Sequence, residues 1–331
     1  MILLTGATGF LGRRLARMLS TAGRPLRLLV RESSDLSLLA DLPHTPDLAY
    51  GDLNDPDSLL DACRGVDTIV HAAALVSFQT TEREQLLFVN GEGTANLVNM
   101  ALEAGVRRLV HLSSVAVLNR IDGGPEVTLA HRWPEATPNT SYAESKFAAE
   151  REVWRGQAEG LRVAVLYPTH MLGAGDWEHE HAPALWRLAA AERGFYPTGR
   201  TGFVDVLDAV DAVALLLEQD EDGQRLLLNA VNWSWREALT RIAQSIGAKP
   251  PSVRFTRWQS SLLWPVELLR SNFTGRKPLI TRESHRNVQA DFRYDGADYP
   301  RLSGRPYRDV GAAIERIGRA YLAERVGALE A

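Results

Sequence analysis

Eight residues near the start of the chain limit its fold more than anything after them. Thr5-Gly6-Ala7-Thr8-Gly9-Phe10-Leu11-Gly12 joins an apolar run, Ile2 to Thr5, to a stretch of helical period, Leu11 to Ala22. Glycines at 6, 9 and 12 let a backbone turn tightly and approach a pyrophosphate, whose charge then meets the positive end of the following helix. Three glycines alone are weak grounds for this, and the position between a strand and a helix is what strengthens them.

The pattern then repeats. Apolar runs rich in Val, Ile and Leu recur at Leu26 to Val30, Asp47 to Tyr50, Thr68 to His71, Arg108 to Leu112 and Val163 to Tyr167. Helical segments fall between them, near Pro56 to Cys63, Arg83 to Ala104 and Ser141 to Ala158. Alternation of this kind requires a parallel sheet covered on both faces, so the expected fold is α/β: a doubly wound Rossmann sheet. After Gly173 the texture changes, with Trp, His, Pro and Arg clusters, while Phe203-Val-Asp-Val-Leu-Asp208 reads as a return to the sheet. The expected division is a dinucleotide-binding domain over 1–171 and 203–232 and a smaller, mostly helical substrate lobe over 172–202 and 233–331.

A formal net charge of -4 offers no basic field to a polyanion, so a small molecule rather than nucleic acid is the expected partner. Cys63 is the single cysteine, which excludes an internal disulfide and a thiolate metal cluster. No leader-like segment precedes the first strand and no apolar stretch is long enough to span a bilayer, so the cytoplasm is the expected compartment.

The second strand should carry the group that reads the adenosine ribose. An NAD-selective site places an acidic residue there, about 20 residues past the glycines. Here the strand ends at Arg31, whose guanidinium would complement a 2′-phosphate. NADP(H) is therefore the expected cofactor, with NAD(H) the alternative because Glu32 stands beside Arg31. Asp52 and Leu53 after the third strand, and Ala72 and Ala73 after the fourth, extend the same cradle.

Tyr142-Ala-Glu-Ser-Lys146 puts a phenol and an ammonium on one helical face. A free tyrosine has a pKa of about 10, so serving as an acid and base near pH 7 asks for about 4 kcal/mol of help from nearby positive charge. Ser113 and Ser114 end an apolar strand, where a hydroxyl can hold a substrate carbonyl; Ser114 is the expected donor.

Taken together, the glycine motif, Gly51-Asp52-Leu53, His71-Ala-Ala, Asn90-Gly-Glu-Gly-Thr94, Ser113-Ser114, Tyr142 with Lys146, Tyr167-Pro168-Thr169 and Phe203-Val-Asp-Val resemble an extended short-chain dehydrogenase/reductase. The similarity runs through about the first two thirds of the chain. It is nearest the dihydroflavonol-reductase-like branch that groups with 3β-hydroxysteroid dehydrogenases and cinnamoyl-CoA reductases. The resemblance implies that Ser114 orients a carbonyl, that Tyr142 moves its proton and that Lys146 tunes Tyr142. It also implies that Asn90 orders its helix, that Tyr167, Pro168 and Thr169 border the cofactor, and that a homodimer forms through a four-helix contact.

The expected activity is NADP(H)-dependent reduction of a ketone or aldehyde, or oxidation of the alcohol, on an apolar or aromatic small molecule. Val76, Phe78, Met171, Trp177 and Tyr196 are the expected substrate contacts. An NAD-retaining sugar-nucleotide epimerase and a non-catalytic cofactor-binding scaffold remain as alternatives. Against the first, Tyr167 to Gly175 contains no Asn; against elimination chemistry, Val115 and Ala116 follow Ser114 where dehydratases carry acids. The loop Asp176-Trp-Glu-His-Glu-His181 lacks metal-site spacing, so no metal is expected. The Trp258 to Phe273 stretch could form a lid or a membrane-facing helix.

Overall fold

The computed structural model describes the chain except residues 78, 132, 134–138, 179, 181, 193, 220, 257–258, 260–286 and 331. Phe78, His179, His181 and the Trp258 to Phe273 stretch therefore lie wholly or almost wholly outside the described residues.

In chain order the first half runs β1 (Ile2–Thr5), α1 (Gly12–Thr21), β2 (Leu26–Val30), β3 (Asp47–Tyr50), α2 (Pro56–Cys63), β4 (Thr68–His71), α3 (Arg83–Leu86), α4 (Gly93–Glu103), β5 (Arg108–Leu112) and α5 (Ser141–Ala158). It continues through β6 (Arg162–Pro168), β7 (His170–Leu172), α6 (Ala184–Ala190), β8 (Phe195–Pro197), β9 (Arg200–Asp205), α7 (Val206–Glu218), β10 (Gln224–Leu228), β11 (Val231–Ser234), α8 (Trp235–Ser245) and β12 (Val253–Phe255). Helices Asp298–Ser303 and Val310–Glu330 close the chain.

Seven strands form one sheet in the order β10-β6-β5-β4-β1-β2-β3, and every neighbouring pair is parallel. Strand alternation divides its side chains between two cores. Leu4, Leu28 and Val110 pack with Leu15 and Leu19 of α1 and Ala209 and Val213 of α7. Leu3, Ile69, Leu109 and Val163 pack on the other face with Leu59 of α2, Leu97 and Val98 of α4 and Val153 of α5. Both faces are buried, which explains why these strands read as continuous apolar runs. The chain leaves β1 for β2 on one side and later returns to β4 on the other, so the strand order reverses at β1. Open α/β sheets bind ligands beyond the strand ends at such a point.

One expectation needs correction. β9 does not rejoin the main sheet; it sits between β7 and β11 in a separate three-stranded sheet. The strand that completes the main sheet is β10, whose Gln224 to Leu228 pair with Ala164 to Pro168 of β6. α7 supplies the crossover between them, started by Asp205, whose Oδ1 accepts from the Leu207 N–H at 3.1 Å. The smaller lobe is mostly helical, as expected, and adds the short parallel pair β8 and β12. Its core gathers Trp177, Trp186, Phe203 and Trp235 with Ile314 and Ile317 of the last helix. Among the described residues no helix is long and apolar enough to cross a membrane.

Between α3 and α4 the helix widens to a π turn over Leu87–Glu92, with Asn90 and Gly91 buried in it. Such a turn inserts a residue into the helical ladder and often marks a functional position. Asn90 uses it to grip three places at once. Its Oδ1 accepts from the Leu75 N–H at 2.7 Å, while Nδ2 donates to the Leu75 carbonyl and to Ser145 Oγ, both at 2.9 Å.

Candidate active site

The turn after β1 is shaped by its glycines. Gly6 has φ of +70°, and a Cβ there would lie 2.7 Å from Ala73 Cα; a Cβ on Gly12 would overlap the Gly6 carbonyl. Those two positions are glycine because the protein packs against them. Gly9 differs: it is exposed, and a Cβ on it would meet only the Gly6 carbonyl oxygen, at 3.3 Å. Its smooth backbone suits a group lying outside the chain. α1 follows with no side-chain cap and no acidic residue in its first turn, leaving its positive end for an anion. The turn therefore fits a dinucleotide pyrophosphate.

A cavity of about 660 Å³ runs from this turn along the ends of β4, β5 and β6. Gly6, Gly9, Phe10, Leu11 and Gly12 line it at one end, and Ser114, Tyr142 and Lys146 line it further on. α5 brings the last two into place. Thr140 starts the helix, its Oγ1 accepting from the Ala143 N–H at 3.1 Å. Tyr142 and Lys146 then stand one turn apart on the buried face.

The two serines at the end of β5 face opposite ways. Ser113 Oγ donates to Glu150 Oε2 at 2.6 Å, beneath the cavity. Ser114 is extended and accepts from the Ala116 N–H at 3.1 Å. Burial pushes the Tyr142 phenol up to about 12, with the Ser114 hydroxyl opposing the rise. Burial pulls the Lys146 ammonium down to about 8, with Glu150 opposing the fall. Its Nζ donates to the Leu112 carbonyl at 2.5 Å. The set thus holds a neutral phenol beside an ammonium that titrates just above neutrality.

A chain of bonds fixes the cradle behind it. Thr94 donates its hydroxyl to the Asn90 carbonyl at 2.6 Å, so it must accept from His71 Nε2, 3.0 Å away. His71 Nδ1 then accepts from Thr5 Oγ1 at 2.8 Å, and Thr5 accepts from the Ala73 N–H at 3.1 Å. Burial and the nearby Lys146 hold His71 down to about 3, so the ring stays neutral and the relay intact.

The remaining expected residues fall at varied distances from the cavity. Ala72, Val76, Pro168, Thr169 and Met171 line it. Ala73 packs against Gly6, and Leu53 against Gly93. Thr8 is half-buried in the glycine turn. Arg31 is exposed at the end of β2, its N–H held by Ser34 Oγ at 3.0 Å. Asp52 Oδ1 accepts from the N–H and Nδ2 of Asn54, at 2.9 and 3.1 Å, which leaves Oδ2 for other donors.

Three side chains are displaced from their expected places. Tyr167 is fully buried below β6, donating to Glu150 Oε1 at 2.6 Å and accepting from Arg225 at 3.1 Å, because strand alternation turns it away from the cavity. Trp177 lies in the third core, donating to Glu324 Oε2 at 2.7 Å and standing edge-on to Tyr321. Tyr196 sits on β8 beneath the Arg236 guanidinium, outside the cavity lining.

Sequence reasoning missed Glu150, His170, Arg120 and Trp235. Glu150 could have been found, since it follows Tyr142 and Lys146 at the same four-residue helical spacing. His170 follows Thr169 directly. Arg120 and Trp235 carry no local signal and reach the cavity only through the folded loop and the second sheet. Among the described residues no group of three or more His, Cys, Asp or Glu side chains could hold a metal ion.

A glycine turn at the strand reversal and a Ser, Tyr and Lys set along one cavity define a dinucleotide-dependent oxidoreductase of the short-chain type. The NAD-dependent epimerase/dehydratase family model matches residues 2–229, and the chain belongs to that family. It is 32% identical over 323 residues to sterol demethylase protein B of Methylococcus capsulatus, spanning 93% of this chain and 92% of that protein. Cinnamoyl-CoA reductase 1 of Petunia hybrida is 31% identical over 68% of this chain and 71% of its own length. Among solved structures, gox2253 superposes with a TM-score of 0.79 at 31% identity, covering 98% of both chains.

Proposed function

We propose that the protein is an NADP(H)-dependent ketoreductase acting on a small molecule with an apolar frame. The observation that carries this reading is the convergence of Ser114, Tyr142 and Lys146, the last two one turn apart on one helix, on a cavity continuous with the glycine turn.

Bound NADPH would supply a hydride to the carbonyl carbon. Ser114 donates to the carbonyl oxygen and fixes its position against Tyr142. As that oxygen gains charge, Tyr142 gives it the phenolic proton. A phenol held up to about 12 is fully protonated at neutral pH and still a stronger acid than an alcohol, so the transfer runs downhill. The Lys146 ammonium steadies the tyrosinate that results and would hold the ribose hydroxyls of the bound cofactor. Exposed at the end of β2, Arg31 would meet its 2′-phosphate.

The relatives support the class of chemistry: a cinnamoyl-CoA reductase among them carries a reductase name over two thirds of this chain. Tyr142→Phe is the decisive variant, because it removes only the proton. We expect NADPH affinity within about twofold of wild type and kcat lowered by about 10³ or more, in the range general acids contribute. Retention of half the wild-type kcat would refute the proton assignment.

A further inference from the structure

The cavity wall opposite the glycine turn holds polar groups that the reduction step does not use. Arg120, on the loop after Ser114, is half-buried there, its guanidinium 4.8 Å from the centre of the Phe292 ring. His170 opens onto the same space, edge-on to Trp235 at 5.3 Å and tilted against Phe203 at 5.8 Å. Enclosure by the cavity walls and then the charge on Arg120 disfavour the imidazolium form, although His170 itself stays accessible at the start of β7. Trp235 is 6% exposed and lines the cavity, yet its indole N–H has no acceptor among the described residues.

All three of these groups can give hydrogen bonds, and Glu180 is the one carboxylate among the described residues of the wall. Three side chains in its wall carry formal charge: Arg120, Lys146 and Glu180. Lys146 is turned to the Leu112 carbonyl. Both oxygens of Glu180 are held by Arg13, at 2.7 and 2.8 Å. Arg120 has no carboxylate partner among the described residues, and its stacking on Phe292 leaves the edge of the guanidinium fork free to donate in plane. A half-buried cation without a counterion in an apolar wall favours a ligand that brings one.

We infer that the substrate carries an oxyanion besides its reacting carbonyl, on an otherwise apolar frame, and that Arg120, with His170 and Trp235 as neutral donors, reads it. This rests on the ketoreductase reading for the identity of the carbonyl end. The rest of the lining, which includes Val76, Met171, Leu185, Val288 and Tyr294, supplies the apolar frame.

The test is binding of defined probes to the NADP⁺ complex by titration calorimetry, with turnover measured separately. The probes are 4-acetylbenzoate and the longer 4′-acetylbiphenyl-4-carboxylate, their methyl esters, and the matching phosphonates. Wild type should bind at least one oxyanion about 30-fold more tightly than its neutral ester, and the carboxylate and phosphonate arms show which oxyanion fits. Arg120→Met should bring the two within about threefold by weakening the oxyanion alone, with Arg120→Lys in between because it keeps charge but not the fork. Equal affinity of acids and esters for wild type would overturn the inference. So would equal weakening of both by Arg120→Met, or loss of NADP⁺ affinity in that variant, which would place Arg120 against the cofactor. Charge-selective binding with no reduction of any probe would uphold the inference and count against the ketoreductase reading. Reduction of acids and esters alike would do the reverse.

Discussion

The two ends of the cavity are built by different rules. At the glycine turn nearly every feature is local: a strand, a tight turn at Gly6 and a helix start within one run of twelve residues, backed by Thr5 and His71 on adjacent strands. At the opposite end the wall is assembled from segments far apart in sequence, with Arg120, His170, Trp235 and Phe292 brought together by β7, α8 and the stretch after 286. The lesson is that cofactor chemistry can be written in a short string, whereas substrate chemistry exists only after the chain has folded on itself.

Each end of the cavity can be tested on its own. Arg31→Asp replaces the cation proposed to meet the 2′-phosphate with a repelling charge. It should shift the NADPH-over-NADH preference in kcat/KM toward NADH by about 10- to 100-fold, measured with both cofactors. Equal losses with both would remove Arg31 from the 2′ position.

The pH profile of reduction tests the shared catalytic set. Lys146 is lowered by burial to about 8, so its charged form is present below that pH and lost above it. Tyr142, raised to about 12, stays protonated throughout the same range. The kcat for reduction should be flat from about pH 6 to 7 and fall about tenfold by pH 9. An unchanged rate at pH 9 would mean that the Lys146 charge is not needed.

The smallest effect is expected where the sequence misplaced a side chain. Tyr196→Ala removes a ring that packs under Arg236 outside the cavity lining. KM for any reduced ketone should stay within about twofold, and a tenfold rise would mean the pocket extends across β8.

The same division governs what was readable in advance. β1, β2, β4 and β5 matched their apolar runs residue for residue, because strands covered on both faces leave a continuous hydrophobic signature, and β3 matched as well although it is a largely exposed edge strand. β9 misled because its apolar run packs against β7 and β11 rather than β6; an apolar pattern reports burial and says nothing about the neighbour. Tyr167 was placed at the cavity because it adjoins Pro168 and Thr169, but alternation along β6 sends it under the sheet to Glu150. Trp177 was expected at the substrate because it stands in the insertion after Gly173, yet its indole donates to Glu324 in a core that the last helix completes. In each case the residue type was visible and its partner was not.

The central claim is net reduction of a dissociable carbonyl substrate by added NADPH. Supplying NADPH dideuterated at nicotinamide C4, with a panel of apolar and acidic ketones, and following the label by mass spectrometry tests it directly. The account predicts one deuterium on the carbinol carbon of a released alcohol and one NADP⁺ formed for each. Tightly retained cofactor, no consumption of the added NADPH and inversion of a sugar-nucleotide carbon without label would contradict it.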